Sequence, residues 1–283
     1  MAKIDPKREV KFRPRKEQPR TSRPAERSSF REPEAKPDRK ADKELKYYGL
    51  HACLAIWKKR PKDIIRVYLD ETNVTVFKAL LKWCAENKKA YHIVASDELQ
   101  KVSESVHHEG VCILAKQLPI LSADEFVASL DKPKICLLYL DGVQNPHNIG
   151  SILRSCAHFG VPYVLGEQGK LPALSPSACR IAKGGSELVR LVSLPTPLKT
   201  LQALKAKGFT FVSTSSHGGT SLFKSKFGPK TVIIMGSETS GVSETLFSLA
   251  PNKVQIPGTG DVESLNVSVA TSLCIGEYAR QHT

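Results

Sequence analysis

From residue 135 onward, six short runs rich in Ile, Leu, Val and Phe recur at 135–140, 162–165, 188–193, 210–213, 231–235 and 253–256, separated mostly by stretches long enough for helices. Near-continuous apolar runs of this length are the pattern of strands covered on both faces, so the region is expected to form a parallel α/β sheet between two layers of helices. Three polar, glycine-bearing loops directly follow such strands: Asp141-Gly-Val-Gln-Asn-Pro-His-Asn148, Gly236-Ser-Glu-Thr-Ser-Gly241 and Pro257-Gly-Thr-Gly-Asp-Val-Glu-Ser264. Ligands of parallel sheets bind beyond the carboxyl ends of the strands, so these loops are expected to meet at one edge and form the site.

Upstream, residues 45–118 alternate in the same manner: a helix at 48–59, a strand at 64–69, a helix at 74–87, a strand at 91–94, a helix at 97–102 and a strand at 111–115. This predicts a small separate α/β domain. Residues 119–134 read as a linker, and no internal repeat is present. Residues 1–44 hold 15 bases, 9 acids and 6 of the 18 prolines with few apolar residues, so they cannot bury enough surface to offset their ordering entropy and are expected to be a disordered basic tail.

Composition narrows the partner. The 283 residues carry a net charge of +14, which points to a polyanion, nucleic acid first. No apolar run approaches the ~20 residues that span a bilayer, and no apolar stretch follows the basic N-terminus, so a cytoplasmic protein with no membrane partner is expected. Seven cysteines with no C-x-x-C disfavour a disulfide scaffold, a zinc ribbon and a thioredoxin-type site; they read as reduced and buried. The scattered histidines give no metal-binding pattern. Gly236 to Gly241 has the spacing of a P-loop, but Val242 stands where a lysine must reach the phosphates and Glu238 would repel them. The absence of G-x-G-x-x-G after the first strand argues against an ordinary dinucleotide fold.

The segments Asn148-Ile-Gly-Ser-Ile-Leu-Arg154 with Phe159-Gly160-Val161, then Ile234-Met-Gly-Ser-Glu238-Thr-Ser-Gly241, then Ile256-Pro257 and Ser264-Leu-Asn266-Val-Ser268-Val-Ala270 resemble, in order and spacing, the three motifs of the SpoU family of RNA ribose methyltransferases. The resemblance implies a SPOUT-type α/β fold whose C-terminal segment forms a trefoil knot, an exception to the rule that chains avoid knots. It also implies S-adenosylmethionine as methyl donor, a homodimer, and an RNA 2′-hydroxyl as acceptor. Residues from Tyr48-Gly49-Leu50-His51-Ala52 onward resemble the ribosomal-protein-like substrate-binding domain of family members that act on ribosomal RNA. The whole arrangement, these two domains behind a long basic tail, resembles one bacterial branch of the family.

By this resemblance the catalytic residues are Asn148, Arg154, Glu238, Ser264 and Asn266, with Ser268 in support. Arg154 matches the family's catalytic arginine. Because a guanidinium holds its proton in proteins, stabilising the developing oxyanion and clamping a phosphate suits it better than acting as a base. The bland readings are a surface arginine on an amphipathic helix for Arg154, a solvated turn carboxylate for Glu238, and helix N-caps for Asn148, before a helix at 149–159, and for Ser264, before a helix at 265–280. Cofactor contacts are expected at Gly236, Ile256 and Leu265, with Gly241 allowing close approach and Met235 and Ile256 as apolar walls. Met235 and Ile256 fit ordinary strand core equally well. Gly258 and Gly260 read as approach or turn residues, and the Lys183-Gly184-Gly185 loop has no assigned role. The expected activity is ribose methylation, in ribosomal RNA first, with a tRNA substrate or a catalytically silent RNA-binding or ribosome-assembly factor as alternatives. Five intact polar motif residues argue against loss of turnover.

Overall fold

The computed structural model describes residues 44–119, 121–216, 218–250 and 252–282. The tail expected at 1–44 lies outside them, apart from Glu44, which opens the first strand.

The N-terminal sheet contains β1 (Glu44–Tyr48), β2 (Ile64–Leu69), β3 (Ala90–Ile93) and β4 (Val111–Lys116) in the order β1-β4-β2-β3. β4 runs antiparallel to β1 and β2, while β3 is parallel to β2. Side chains alternate across β4: Ile113 faces α1 (Leu50–Lys59) and α2 (Lys78–Glu86), where Cys53, Ile56, Leu80 and Cys84 are buried. Cys112 faces the other way, onto Leu99 of α3 (Ser96–Ser103). Two expectations shift here. Tyr48 ends a strand instead of opening a helix, and Gly49, at φ +92°, makes the break between β1 and α1. The helix expected from 74 begins at Lys78, because Asp70 accepts from the Asn73 amide and caps a separate short turn at Glu71–Asn73.

The segment expected as a linker contains α4 (Ala123–Ala128). A reciprocal capping box between Ser122 and Glu125 starts it, and Phe126 is fully buried against the larger sheet.

That sheet has seven strands: β5 (Ile135–Asp141), β6 (Tyr163–Glu167), β7 (Arg190–Leu194), β8 (Thr210–Thr214), β9 (Thr220–Ser221), β10 (Lys230–Gly236) and β11 (Asn252–Gln255), in the order β7-β6-β5-β10-β8-β11-β9. Every pairing is parallel, as expected. Alternation along β5 and β10 sends Leu138, Leu140, Ile233 and Met235 towards α5 (Pro146–Phe159) and α9 (Val267–His282). Leu137, Tyr139, Val232 and Ile234 face the side of α7 (Pro197–Ala206) and α8 (Glu244–Leu249). Each such side chain, removed from water, contributes about 1.5–3 kcal/mol. From β5 the chain winds outward through β6 and β7, then returns to the opposite side through β8 and β10. The winding reverses at β5, so a crevice opens between the carboxyl ends of β5 and β10.

The two sheets share a sealed junction. Cys179, from α6 (Pro176–Ile181), packs into the core beneath the smaller sheet. Arg60 donates through Nε to Glu187 Oε2 at 2.5 Å and through Nη2 to Oε1 at 3.1 Å, with side-chain exposures of 9% and 2%. Its Nη1 also donates to the Lys116 carbonyl, and its guanidinium lies 5.2 Å from the centre of the Tyr47 ring.

Candidate active site

Three loops from distant parts of the chain meet at the carboxyl edge of the larger sheet. After β5, Asn145 accepts from the His147 amide at 2.9 Å and Pro146 occupies the first helical position, so α5 starts at 146. Asn145 is therefore the N-cap, not Asn148. Asn148 lies within the first turn, where its side chain is free for other work.

That side chain meets the loops after β10 and β11. Glu238 Oε1 accepts from Asn148 Nδ2 at 3.2 Å, from Asn266 Nδ2 at 2.9 Å and from the Val267 amide at 3.3 Å. Asn266 Nδ2 also donates to Asn148 Oδ1 at 3.0 Å. The Glu238 carboxylate thus stands at the N-terminus of α9, where the helix dipole favours negative charge. Asn266, not Ser264, caps α9: its Oδ1 accepts from the Ser268 amide at 2.9 Å and from Ser268 Oγ at 2.5 Å. The helix begins at Val267, two residues later than expected. Ser264 is exposed and makes no side-chain hydrogen bond among the described residues.

Arg154 stands apart from this cluster. Six residues along α5 from Asn148, it is rotated by about 240° around the helix. It is exposed and lines a crevice facing α1.

The loop after β10 is a tight turn, with the Gly241 amide donating to the Ser237 carbonyl at 3.0 Å. A Cβ on Gly236 would lie 2.0 Å from the Gly241 carbonyl carbon, so the turn itself demands glycine at 236. Gly241 is at φ +64°. Met235 is 2% exposed and belongs to the sheet core, leaving its backbone as the part near the edge. Ile256 is half-buried against the same core, whereas Leu265 and Val262 are 46% and 76% exposed. Exposed apolar side chains beside open backbone, with nothing within 4 Å of a Cβ placed on Gly258 or Gly260, fit a ligand that has an apolar ring and takes hydrogen bonds from main chain.

Sequence reasoning passed over Asp141, whose Oδ2 accepts from the Ser243 amide at 2.7 Å and ties the β5 loop to the turn after β10. An acid at the carboxyl end of an apolar strand was the available signal. The bond between Ser155 and Ser272 hydroxyls, 2.7 Å apart between α5 and α9, had none.

A reversing parallel sheet with an Asn-Glu-Asn cluster at its switch point and glycine-bearing loops beside it defines a ligand-binding α/β enzyme. Residues 136–276 match the SpoU rRNA Methylase family, and residues 47–121 match the family described as RNA 2′-O ribose methyltransferase substrate binding. The chain is 38% identical over 254 residues to the uncharacterized tRNA/rRNA methyltransferase YfiF of Escherichia coli O157:H7, covering 90% of this chain and 73% of that one. It is 30% identical to the 23S rRNA (guanosine-2′-O-)-methyltransferase RlmB of Vibrio cholerae, covering 83% of this chain and 96% of that one. The crystal structure of the SpoU methyltransferase AviRb from Streptomyces viridochromogenes, in complex with AdoMet, shares the fold with a TM-score of 0.69 at 22% identity, covering 84% of this chain and 90% of that one. The chain belongs to the SpoU family, in a YfiF-like branch, and is an S-adenosylmethionine-dependent RNA 2′-O-methyltransferase.

Proposed function

We propose that this enzyme methylates a ribose 2′-hydroxyl in ribosomal RNA, in the cytoplasm, as a homodimer whose active site is completed across the subunit interface. The observation that carries this reading is the separation of Arg154 from the Asn148, Glu238 and Asn266 cluster on its own chain. Phe159, Val269 and Leu273 support the dimer: they are 37%, 48% and 37% exposed. Val269 and Leu273 lie one turn apart on α9, and the Phe159 ring lies over Gly276 on the same helix.

Bound S-adenosylmethionine supplies an electrophilic methyl group. The loops at Gly236 to Gly241 and Ile256 to Leu265 hold it, largely through main chain. Glu238 fixes the Asn148 amide, which keeps one N–H to orient the acceptor ribose, with Asn266 and Ser268 holding the cluster and Ser264 beside it. Arg154 clamps the neighbouring phosphate and stabilises the charge that develops on the 2′-oxygen as its proton passes to water.

Residues 45–118 are the ribosomal-protein-like domain that selects RNA, 119–134 joins it to a catalytic domain at 135–283, and the charge of 1–44 adds affinity without sequence readout. A trefoil knot at the C-terminal end is supported by β11, which pairs with β8 on one side and β9 on the other, so that the connection from β8 to β9 must cross it. Ribose-methylation mapping of total RNA from a deletion strain beside its parent tests the assignment. One ribosomal site lost bears it out, a lost tRNA site moves the substrate, and an unchanged map with no turnover of labelled S-adenosylmethionine leaves a binding protein.

A further inference from the structure

The Lys183-Gly184-Gly185 loop forms the wall of a crevice of about 820 Å³ between α1 and α5. A Cβ on Gly184 would lie 2.8 Å from Ala55 Cβ of α1, and one on Gly185 would lie 2.7 Å from the Leu153 carbonyl oxygen of α5. The two glycines therefore wedge the backbone between the helices as closely as peptide groups allow. Lys183, at φ +46°, sits in a conformation that non-glycine residues rarely adopt. Such strain persists where the surroundings enforce it, commonly at a ligand site.

Charge defines what the crevice takes. Lys58, Lys59, Arg154 and Lys183 line it, all exposed, and none has an ion-pair partner among the described residues. The one acid in the lining, Glu187, is already engaged by Arg60. Four unpaired cations on a wall held open by a buried ion pair make a preformed anion track that ends at Arg154. Resting on the reading of this chain as an RNA methyltransferase, the geometry points to this crevice as the channel for the RNA sugar-phosphate backbone flanking the target, with Lys58, Lys59 and Lys183 as its phosphate contacts. RNA gripped by the N-terminal domain then leads directly to the Arg154 of the same chain.

The test measures affinity for a labelled oligouridylate against salt, with no S-adenosylmethionine present. Lys58→Glu/Lys59→Glu should weaken binding about tenfold or more and flatten the salt slope by about 1.4, for two phosphate contacts at ~0.7 each. Lys199→Glu/Lys205→Glu, the same charge change on α7 across the sheet, should leave the slope near wild type. Lys183→Gly, which removes the charge and suits the backbone, should lower affinity about threefold while keeping wild-type thermal stability. A wild-type slope in the α1 variant, or equal losses in the α1 and α7 variants, overturns the channel. Transfer of labelled methyl groups to total RNA by the wild-type chain is scored separately, so failure of the methyltransferase reading is distinguishable from failure of the channel.

Discussion

The domain junction and the carboxyl edge of the larger sheet each centre on a glutamate, and treat it in opposite ways. At the junction, Glu187 is sealed from water and receives two bonds from a guanidinium. At the edge, Glu238 is exposed and receives three neutral N–H groups. The junction is finished within one chain: its charge is matched, its thiol buried and its glycines in contact. The edge is a half-built arrangement, with groups oriented but open to a ligand. The junction commits its polar groups to rigidity, and the edge keeps hydrogen-bonding capacity unfilled.

The largest effect that would test this contrast is at the junction. Arg60→Ala strands the Glu187 charge in a low-dielectric site, and urea unfolding should show a loss of about 3–5 kcal/mol. A loss below ~1 kcal/mol would mean that water already reaches the pair. Cys179 reports on the same place: burial pushes its thiol from 9.0 up to about 12, so at neutral pH it holds almost no thiolate. All seven cysteines are buried, and none should react with a disulfide reagent in the folded wild type. In Arg60→Ala, Cys179 should become the first to react, as mass spectrometry of the labelled peptides would reveal.

At the edge, Arg154→Ala should reduce methyl transfer by about 10²–10³ while calorimetry finds S-adenosylmethionine binding and stability near wild type. Wild-type turnover would remove Arg154 from the mechanism. The smallest effects separate two asparagines in one turn. Asn145→Ala removes the cap of α5 and should cost ~1 kcal/mol with modest change in turnover, whereas Asn148→Ala should change stability by less than ~0.5 kcal/mol and lower turnover at least tenfold. The reverse pattern would return Asn148 to a structural role.

The strands were legible wherever a run is buried on both faces. β2 matches its expected span, and the six expected strands of the larger sheet are found to within about two residues at either end. β1 was missed because the tail's charges lead straight into it and its identity comes from pairing with β4, where Leu45 lies opposite Ala115, 70 residues further along the chain. α4 was announced by the Ser122 and Glu125 spacing, a signal overshadowed by the prolines and charges around it. Pro146 marked the start of α5 and made Asn145 the cap, which local sequence could have given. The junction was beyond reach of any local pattern: Arg60 and Glu187 are 127 residues apart, and neither belongs to a motif.

The way Glu238 is held also sets an order of events during synthesis. The parallel strands β5 and β10 are joined only after the 88 residues between Asp141 and Lys230 have been made, and pairing of that kind forms slowly. Glu238 then leaves the ribosome ahead of Asn266 and Val267, two of the three donors that orient its carboxylate. A nascent chain that has reached the second motif therefore carries the acid with Asn148 alone of its three donors, and the cluster is completed only when the last helix has docked.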